Sequence, residues 1–200
     1  MEEHREVIRN IKKELRLFMN GVTSVQQRRL GMEYNIIFGV SIPHLKEIAG
    51  KFQKDEEVAR TLWKENIRES KLLAIMLLPE RCYDDVAEQW IGECRYRENA
   101  DHLAHNILCR LPDAARKALD WINSPEDLYC YSGYLTLSHL FRAGSTLDPE
   151  QEKIFFSTVK RHLATQLNCK AQALNALTLY CADDEEKIRR CNTSAGEELL

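Results

Sequence analysis

The sequence has little glycine, with eight residues in 200. It contains none of the glycine-rich loops with which nucleotide-binding proteins hold phosphates, so we expect no such site. No apolar run approaches the roughly 18 residues that a membrane-spanning helix needs. The charged start, residues 1–5, is unlike a signal peptide. We therefore expect a cytoplasmic protein with no membrane partner.

Regularly spaced cysteines are also missing. The chain has seven cysteines, an odd number, and no two are spaced as Cys-x-x-Cys. Zinc sites and disulfide frameworks usually show such spacing. Most of these cysteines lie beside leucine, tyrosine or alanine in helical patterns, where reduced and buried thiols are common. We predict no metal site, no cofactor and no disulfide framework.

An excess of positive charge is absent too, because the formal net charge is −3. This balance argues against nonspecific coating of nucleic acid, but it leaves room for a local basic groove.

Strand signals are nearly absent, whereas helix signals run through the whole chain. Val7, Ile11 and Leu15 recur at four-residue steps, which is typical of an amphipathic helix. We predict that this helix ends near residues 20–21, that Ser24 caps a short helix reaching Met32, and that Pro43 lies in the first turn of the next. Further helices are predicted at 55–64, 66–78, 83–95, 99–110, 113–123, 126–142, 148–165, 167–181 and 183–191.

A faint internal repeat indicates how these helices are arranged. Pro79 and Pro112 follow helix ends 33 residues apart, and Trp90 and Trp121 lie 31 residues apart. This period suits two-helix HEAT or armadillo repeats. We predict an all-α, right-handed superhelix, or solenoid, of about six HEAT/ARM-like helix pairs. It would form a single domain over 1–192 with a frayed tail at 193–200; the alternative is a non-repeating helical bundle.

Two sequence blocks carry a resemblance to a known family. Residues 38–43 read Phe-Gly-Val-Ser-Ile-Pro and precede a basic amphipathic helix. Residues 62–69 contain Leu-Trp, a glutamate and Arg-Glu, and they lead into an apolar helix. The chain resembles the DNA alkylation repair family, the AlkD-like alkylpurine DNA glycosylases built from HEAT-like repeats, over about residues 5–190.

The resemblance implies a concave solenoid that holds duplex or alkylated DNA and releases cationic alkylated purines. A cationic base is already a good leaving group, so the site needs a carboxylate near the sugar to stabilise the developing positive charge. Aromatic side chains suit the electron-poor base. The family pattern accordingly carries Trp-Trp-Asp-x-x-Asp at a helix start, with an arginine and a tryptophan on later helices.

This chain departs from that pattern at most positions. Of the matching stretch at 99–104, only Asp101 agrees. The other motif positions carry residues of different types: Asn99, Ala100, Ala104, Ser132 and Leu174. We expect the standard excision chemistry to be lost, with Asp101 as the one remaining candidate for a catalytic carboxylate.

The same stretch offers other roles. Asp101, His102, His105 and Cys109 have spacings that could place metal ligands on one helix face. No second ligand group accompanies them, so we favour a helix-capping Asp101 and two partly exposed histidines, which could also line a binding groove. Tyr129, Tyr131 and Tyr134 could stack on bases or pack between helices. Trp63, Trp90 and Trp121 are predicted core residues.

A nucleic-acid interface is the leading prediction. Basic side chains on successive repeats would neutralise phosphates, and the histidines would lie beside them. The predicted nucleic-acid-binding residues are Arg68, Lys71, Arg97, His102, His105 and Lys170. The alternative is a non-enzymatic protein-interaction scaffold that has kept the solenoid and binds a protein partner instead of DNA. In either case we expect a monomer.

Overall fold

The structure is a computed structural model that describes residues 2–165, 168–182 and 184–195. Within these residues the chain forms helices and no β-strand, so the predicted all-α class is confirmed. None of the helices in the described residues is both long and apolar enough to cross a membrane. The α-helices are α1 (Glu2–Leu17), α2 (Gly21–Arg29), α3 (Ile42–Gly50), α4 (Glu56–Lys64), α5 (Arg68–Leu77), α6 (Tyr83–Gly92), α7 (Arg97–Asn106), α8 (Ala114–Ile122), α9 (Asp127–Arg142), α10 (Pro149–Ala164), α11 (Lys170–Cys181) and α12 (Glu185–Ala195).

The chain divides into two compact units, Met1–Asp85 and Val86–Leu200. A single repeat domain over 1–192 therefore stays a prediction. Of the tail predicted at 193–200, residues 193–195 continue α12, and residues 196–200 lie outside the described part of the chain.

One predicted helix start is wrong. Gly21 begins α2, and the Asn20 side chain caps this helix by accepting a hydrogen bond from the Thr23 amide at 3.1 Å. The two residues therefore start a helix as well as follow the end of the first one. Ser24 is not a cap, since its hydroxyl donates to the Ile37 carbonyl at 2.8 Å. Asparagine and serine cap helices about equally well, so composition alone could not choose between them.

The first unit has its core between α4 and α5, with α1 and α3 packed beside them. In α4, Val58, Leu62 and Trp63 fall at helical spacing on one side and are buried. All of α5 is buried except Met76, including four polar or charged residues at its start. Such groups need partners when they leave water. Arg68 and Glu69 find them in the segment before α3, whereas Ser70 bonds Glu65 and Lys71 bonds the Trp63 carbonyl.

Glu69 holds that segment in place. Its side chain is fully buried, and its carboxylate accepts hydrogen bonds from the backbone amides of Phe38 (3.0 Å), Gly39 (3.0 Å) and Val40 (3.3 Å). Gly39 has φ +74°, and a Cβ there would lie 2.2 Å from the Asn20 carbonyl oxygen. The block at 38–40 is therefore a backbone turn that wraps a buried carboxylate, and only glycine fits its middle position.

The second unit is organised around α9, which packs against α7, α8 and α11. Its contact with α8 is close because of Gly133, where a Cβ would come within 2.8 Å of the Ala118 carbonyl oxygen. The predicted core positions of Trp63, Trp90 and Trp121 are confirmed, with 2%, 1% and 3% exposure. The Trp121 indole N–H donates to Glu88 at 2.7 Å, so its polar atom is satisfied.

Candidate nucleic-acid interface

Helix α7 in the second unit has a buried side and an exposed side. Its exposed side carries a stripe of three residues at four-residue spacing: Arg97, which is the first residue of the helix, Asp101 and His105. The opposite side is fully buried and consists of Asn99, Ala100, Leu103 and Ala104. Three of the motif positions named above therefore face the protein core. Whatever chemistry α7 offers to a ligand has to come from the exposed stripe.

Asp101 lies in the middle of that stripe and accepts a hydrogen bond from the Tyr131 hydroxyl of α9 at 2.8 Å. The Arg97 guanidinium lies over the Tyr131 ring, 4.8 Å from its centroid. Burial and the hydrogen bond to Asp101 raise the pKa of Tyr131 to about 12, so its hydroxyl stays a donor at neutral pH. We call these three residues the Arg97–Tyr131–Asp101 cluster.

The predicted capping role of Asp101 is wrong. The residue at the N-cap position of α7 is Tyr96, five residues earlier, and it makes no side-chain capping hydrogen bond. Because α7 begins at Arg97 rather than at the predicted residue 99, Asp101 lies in the helix interior. Its carboxylate is used across helices, on Tyr131.

His105 is the last residue of the exposed stripe, and His102 lies beside the stripe on the same helix. The His105 ring lies 5.1 Å from the His139 ring of α9, centroid to centroid. Burial lowers the pKa of His139, and the positive charges of His105 and Arg142 lower it further. His102 is half-buried on the neighbouring side of α7. The imidazole rings of His102 and His105 can form hydrogen bonds through their nitrogen atoms.

Three of the four side chains considered as metal ligands in this stretch have other contacts. The Cys109 thiol donates to the His105 carbonyl at 3.3 Å, and the His105 ring packs against the His139 ring. Asp101 is used by Tyr131. In the described part of the chain, ligand-type side chains come together at a different place, which is discussed below.

Arg97 and Lys170 are brought close together at one edge of the second unit. An Arg97 N–H donates to the Asn168 carbonyl at 3.0 Å, and Lys170 begins α11 two residues later. Both side chains are exposed. The guanidinium has five donor hydrogens, so a bond to one carbonyl leaves donors for a phosphate.

Arg68 and Lys71 of the first unit are placed differently. The Arg68 side chain is 4% exposed; it donates to the Val40 carbonyl at 3.1 Å and to the Glu69 carboxylate at 2.9 Å. The Gln27 side-chain amide lies next to Arg68 Nε and Nη2, at 3.1 and 3.2 Å, and accepts hydrogen bonds from them when its oxygen is assigned to the side facing the guanidinium. Its contacts are those of a residue that holds the fold together.

Lys71 is buried in a similar way. Its ammonium lies 2.5 Å from the Trp63 carbonyl oxygen and 4.4 Å from the centroid of the Trp63 ring. Neither Lys71 nor Arg68 reaches the surface where a phosphate could bind, so we leave both out of the interface proposed below. Both residues belong to a helix that is buried almost throughout, and this position indicates that they stabilise the fold.

The three tyrosines near Gly133 are packing residues with bonded hydroxyls. Tyr129 donates to the Glu88 carbonyl at 2.9 Å, Tyr131 donates to Asp101, and Tyr134 is fully buried with its hydroxyl 2.8 Å from His162 Nδ1. Of the two predicted roles, base stacking and packing between helices, the structure supports packing.

A family model described as "DNA alkylation repair enzyme" matches residues 11–178. The chain belongs to this family. Its fold is similar to that of a solved structure described as "A new family of proteins related to the HEAT-like repeat DNA glycosylases with affinity for branched DNA structures". The TM-score is 0.73 at 18% identity, and the match covers 94% of this chain and 83% of that one. A comparison with curated proteins found no match.

These findings confirm two predictions from the sequence. The family is the one that residues 38–43 and 62–69 resemble, and the fold is of the HEAT-like repeat class. At 18% identity the structural similarity establishes the fold alone. The activity has to be argued from the residues of this chain.

Proposed function

We propose that this family member binds DNA through the exposed side of α7 and the start of α11, and that it lacks the standard excision chemistry. One observation carries the proposal. The exposed stripe of α7 presents Arg97, Asp101 and His105 and no aromatic residue, while positions 99, 100 and 104 are buried. The stripe can contact a phosphate backbone, but it offers no aromatic surface for a cationic base.

The proposed phosphate contacts are made by Arg97 and Lys170. An arginine that is stacked on an aromatic ring loses less conformational freedom when it binds, because its guanidinium plane is already oriented. Arg97 is held in this way by Tyr131. Lys170 adds a mobile point charge beside it. The histidines of α7 supply further hydrogen-bond donors for the sugar–phosphate backbone.

We further propose that branched DNA is a better ligand than plain duplex. The related solved structure is described as belonging to proteins with affinity for branched DNA. Recognition of a junction can rest on the positions of phosphates, whereas excision of a damaged base needs groups that bind the base and stabilise the sugar. The exposed stripe supplies groups of the first kind.

Fluorescence anisotropy with a labelled four-way junction and a duplex of the same strands would test the proposal. Arg97→Ala and Lys170→Ala should each weaken binding about three- to tenfold, since a charge-assisted contact contributes roughly 1 kcal/mol here. The matched control is Arg116→Ala, because Arg116 is 60% exposed on α8 and faces Asp113 and Asp120. Equal effects of all three substitutions, or no affinity for DNA at low salt, would contradict the proposed interface.

The same preparations should release no methylated purine from alkylated duplex DNA above the level of a protein-free control. Release that disappears in Asp101→Asn would show instead that this carboxylate still acts in catalysis. Asp101→Asn keeps the size of the side chain and its place beside Tyr131, so loss of release would report on charge rather than on folding.

The protein-interaction scaffold remains the second candidate, and one feature favours it. Most of the large apolar side chains that the described residues expose come from one stretch of the first unit, 17–36. They are Leu17, Met19, Val22, Val25, Leu30 and Ile36. A protein that binds no DNA in the anisotropy assay would support this candidate.

A further inference from the structure

A cysteine–histidine cluster lies in the second unit, away from the α7 stripe. Cys130 comes from α9, His162 from α10, and Cys169 immediately precedes α11. All three side chains are buried, and one ligand atom of each lies within 4.8 Å of the others. Cys130 Sγ is 4.0 Å from His162 Nδ1.

We propose that Cys130, His162 and Cys169 form a binding site for a thiolate-preferring divalent metal ion, with Zn²⁺ as the natural occupant. Two sulfurs and one imidazole nitrogen make up a recognised zinc ligand set in which a fourth position stays open.

The dimensions of the cluster suit such an ion. With Zn–S near 2.3 Å and Zn–N near 2.0–2.1 Å, tetrahedral ligand atoms stand about 3.5–3.8 Å apart. The 4.0 Å between Cys130 Sγ and His162 Nδ1 is close to that value, so small side-chain rotations would complete the geometry. Coordination through Nδ1 would replace the hydrogen bond that this atom makes with the Tyr134 hydroxyl at 2.8 Å.

The cluster is also accessible. A cavity of about 320 Å³ is lined by all three residues and by Asp127 and Arg161, among others. The cavity lets an ion and a water ligand enter, and the Arg161 side chain can offset part of the charge of two thiolates.

Other buried cysteines have ordinary partners. The Cys82 thiol donates to Glu56 at 3.1 Å, and the Cys94 thiol donates to the Trp90 carbonyl at 3.1 Å. Neither belongs to a group of ligand-type side chains in the described part of the chain. Cys94 is therefore a suitable control for thiol chemistry that does not depend on the site.

A bound ion would tie the start of α11 to α9 and α10. Cys169 lies between Asn168, which accepts a hydrogen bond from Arg97, and Lys170. The metal would thus fix the segment that carries one of the proposed DNA contacts. The metal site does not depend on the proposed DNA contacts, because its evidence is the convergence of Cys130, His162 and Cys169.

Cobalt titration of the reduced, chelator-treated full chain would test the site. Co²⁺ should bind at one ion per chain with the charge-transfer band of thiolate ligation and the visible bands of tetrahedral cobalt, and Zn²⁺ should displace it. Cys130→Ser, Cys169→Ser and His162→Gln should each weaken Co²⁺ binding by at least about 100-fold, because they remove a ligand rather than an outer partner. Cys94→Ser should leave the spectrum unchanged.

Thermal unfolding provides a second measurement for variants that bind no cobalt. Zn²⁺ should raise the Tm of the unmodified chain and of Cys94→Ser, and it should not raise the Tm of the three ligand variants. The site would be refuted by the absence of cobalt bands, or by bands that persist in Cys130→Ser and Cys169→Ser. Bands that disappear only in Cys181→Ser would refute it as well, since Cys181 and Cys191 are another adjacent thiol pair. Recovery of Cys130 and Cys169 as a disulfide from reducing buffer would also overturn it.

Discussion

Two buried charged residues of the first unit, Arg68 and Glu69, act mainly on the backbone around them. Glu69 binds three successive amides of the 38–40 turn and, through Arg68, the Val40 carbonyl. A buried ion pair is not by itself strong evidence for stability, because desolvation offsets much of the attraction. Here the backbone bonds make the difference, since removing the carboxylate leaves several buried donors without an acceptor.

Replacing Glu69 with glutamine should therefore destabilise the protein by about 3 kcal/mol or more, as expected when one partner of a buried pair is removed. Glutamine keeps the size of the side chain, but it brings an NH₂ group against backbone N–H donors. Urea unfolding followed by circular dichroism would measure the change.

Glu14→Gln is the matched control for this substitution. Glu14 accepts from Lys51 at 2.9 Å in a pair that is partly exposed, with 26% and 43% of the two side chains accessible. Loss of such a pair should cost less than about 1 kcal/mol. Equal losses in the two variants would show that the Glu69 bonds contribute no more than an ordinary surface pair.

At the scale of helices, α10 begins where its sequence indicates. The Asp148 carboxylate accepts from the amides of Glu150 (3.0 Å) and Gln151 (2.9 Å), the Gln151 side chain accepts from the Asp148 amide, and Pro149 occupies the first turn. These bonds satisfy amide groups that have no partner inside the helix.

Substitution of Asp148 by alanine should lower the free energy of unfolding by about 1 kcal/mol, the usual cost of losing an N-cap. Thermal or urea unfolding would detect it. Asp120→Ala removes an exposed aspartate from α8, and its weak ion pair with Arg116 is 3.7 Å long. That change should stay within about 0.5 kcal/mol. A cap variant as stable as this control would contradict the assigned role of Asp148.

Helix extents were predicted well because apolar periodicity and turn residues are local signals. The predictions 126–142 and 148–165 agree closely with α9 and α10. The start of α7 at residue 97 rather than at 99 was harder to predict, and it is what moves Asp101 from a capping position into the helix interior. The convergence of Cys130, His162 and Cys169 could not be predicted, because residues 32 and 39 positions apart meet only when three helices pack together.

For the whole molecule, the net charge of −3 limits how DNA can be bound. A chain with this balance repels DNA at long range, so its affinity has to come from a few close phosphate contacts rather than from overall attraction. Arg97 and Lys170 are two such contacts in the second unit, whereas Arg68 and Lys71 have structural roles in the first. The number of counterions released on binding should therefore be small.

The dependence of duplex affinity on salt would measure that number. The logarithm of the binding constant falls with the logarithm of salt concentration by about 0.9 for each phosphate contact. Arg97→Ala should therefore reduce the slope by about 0.9, because it removes one contact, and Lys170→Ala should do the same. Arg116→Ala should leave the slope unchanged, although it lowers the net charge by the same amount. If all three substitutions reduced the slope equally, binding would follow the total charge of the molecule rather than a defined face of α7 and α11.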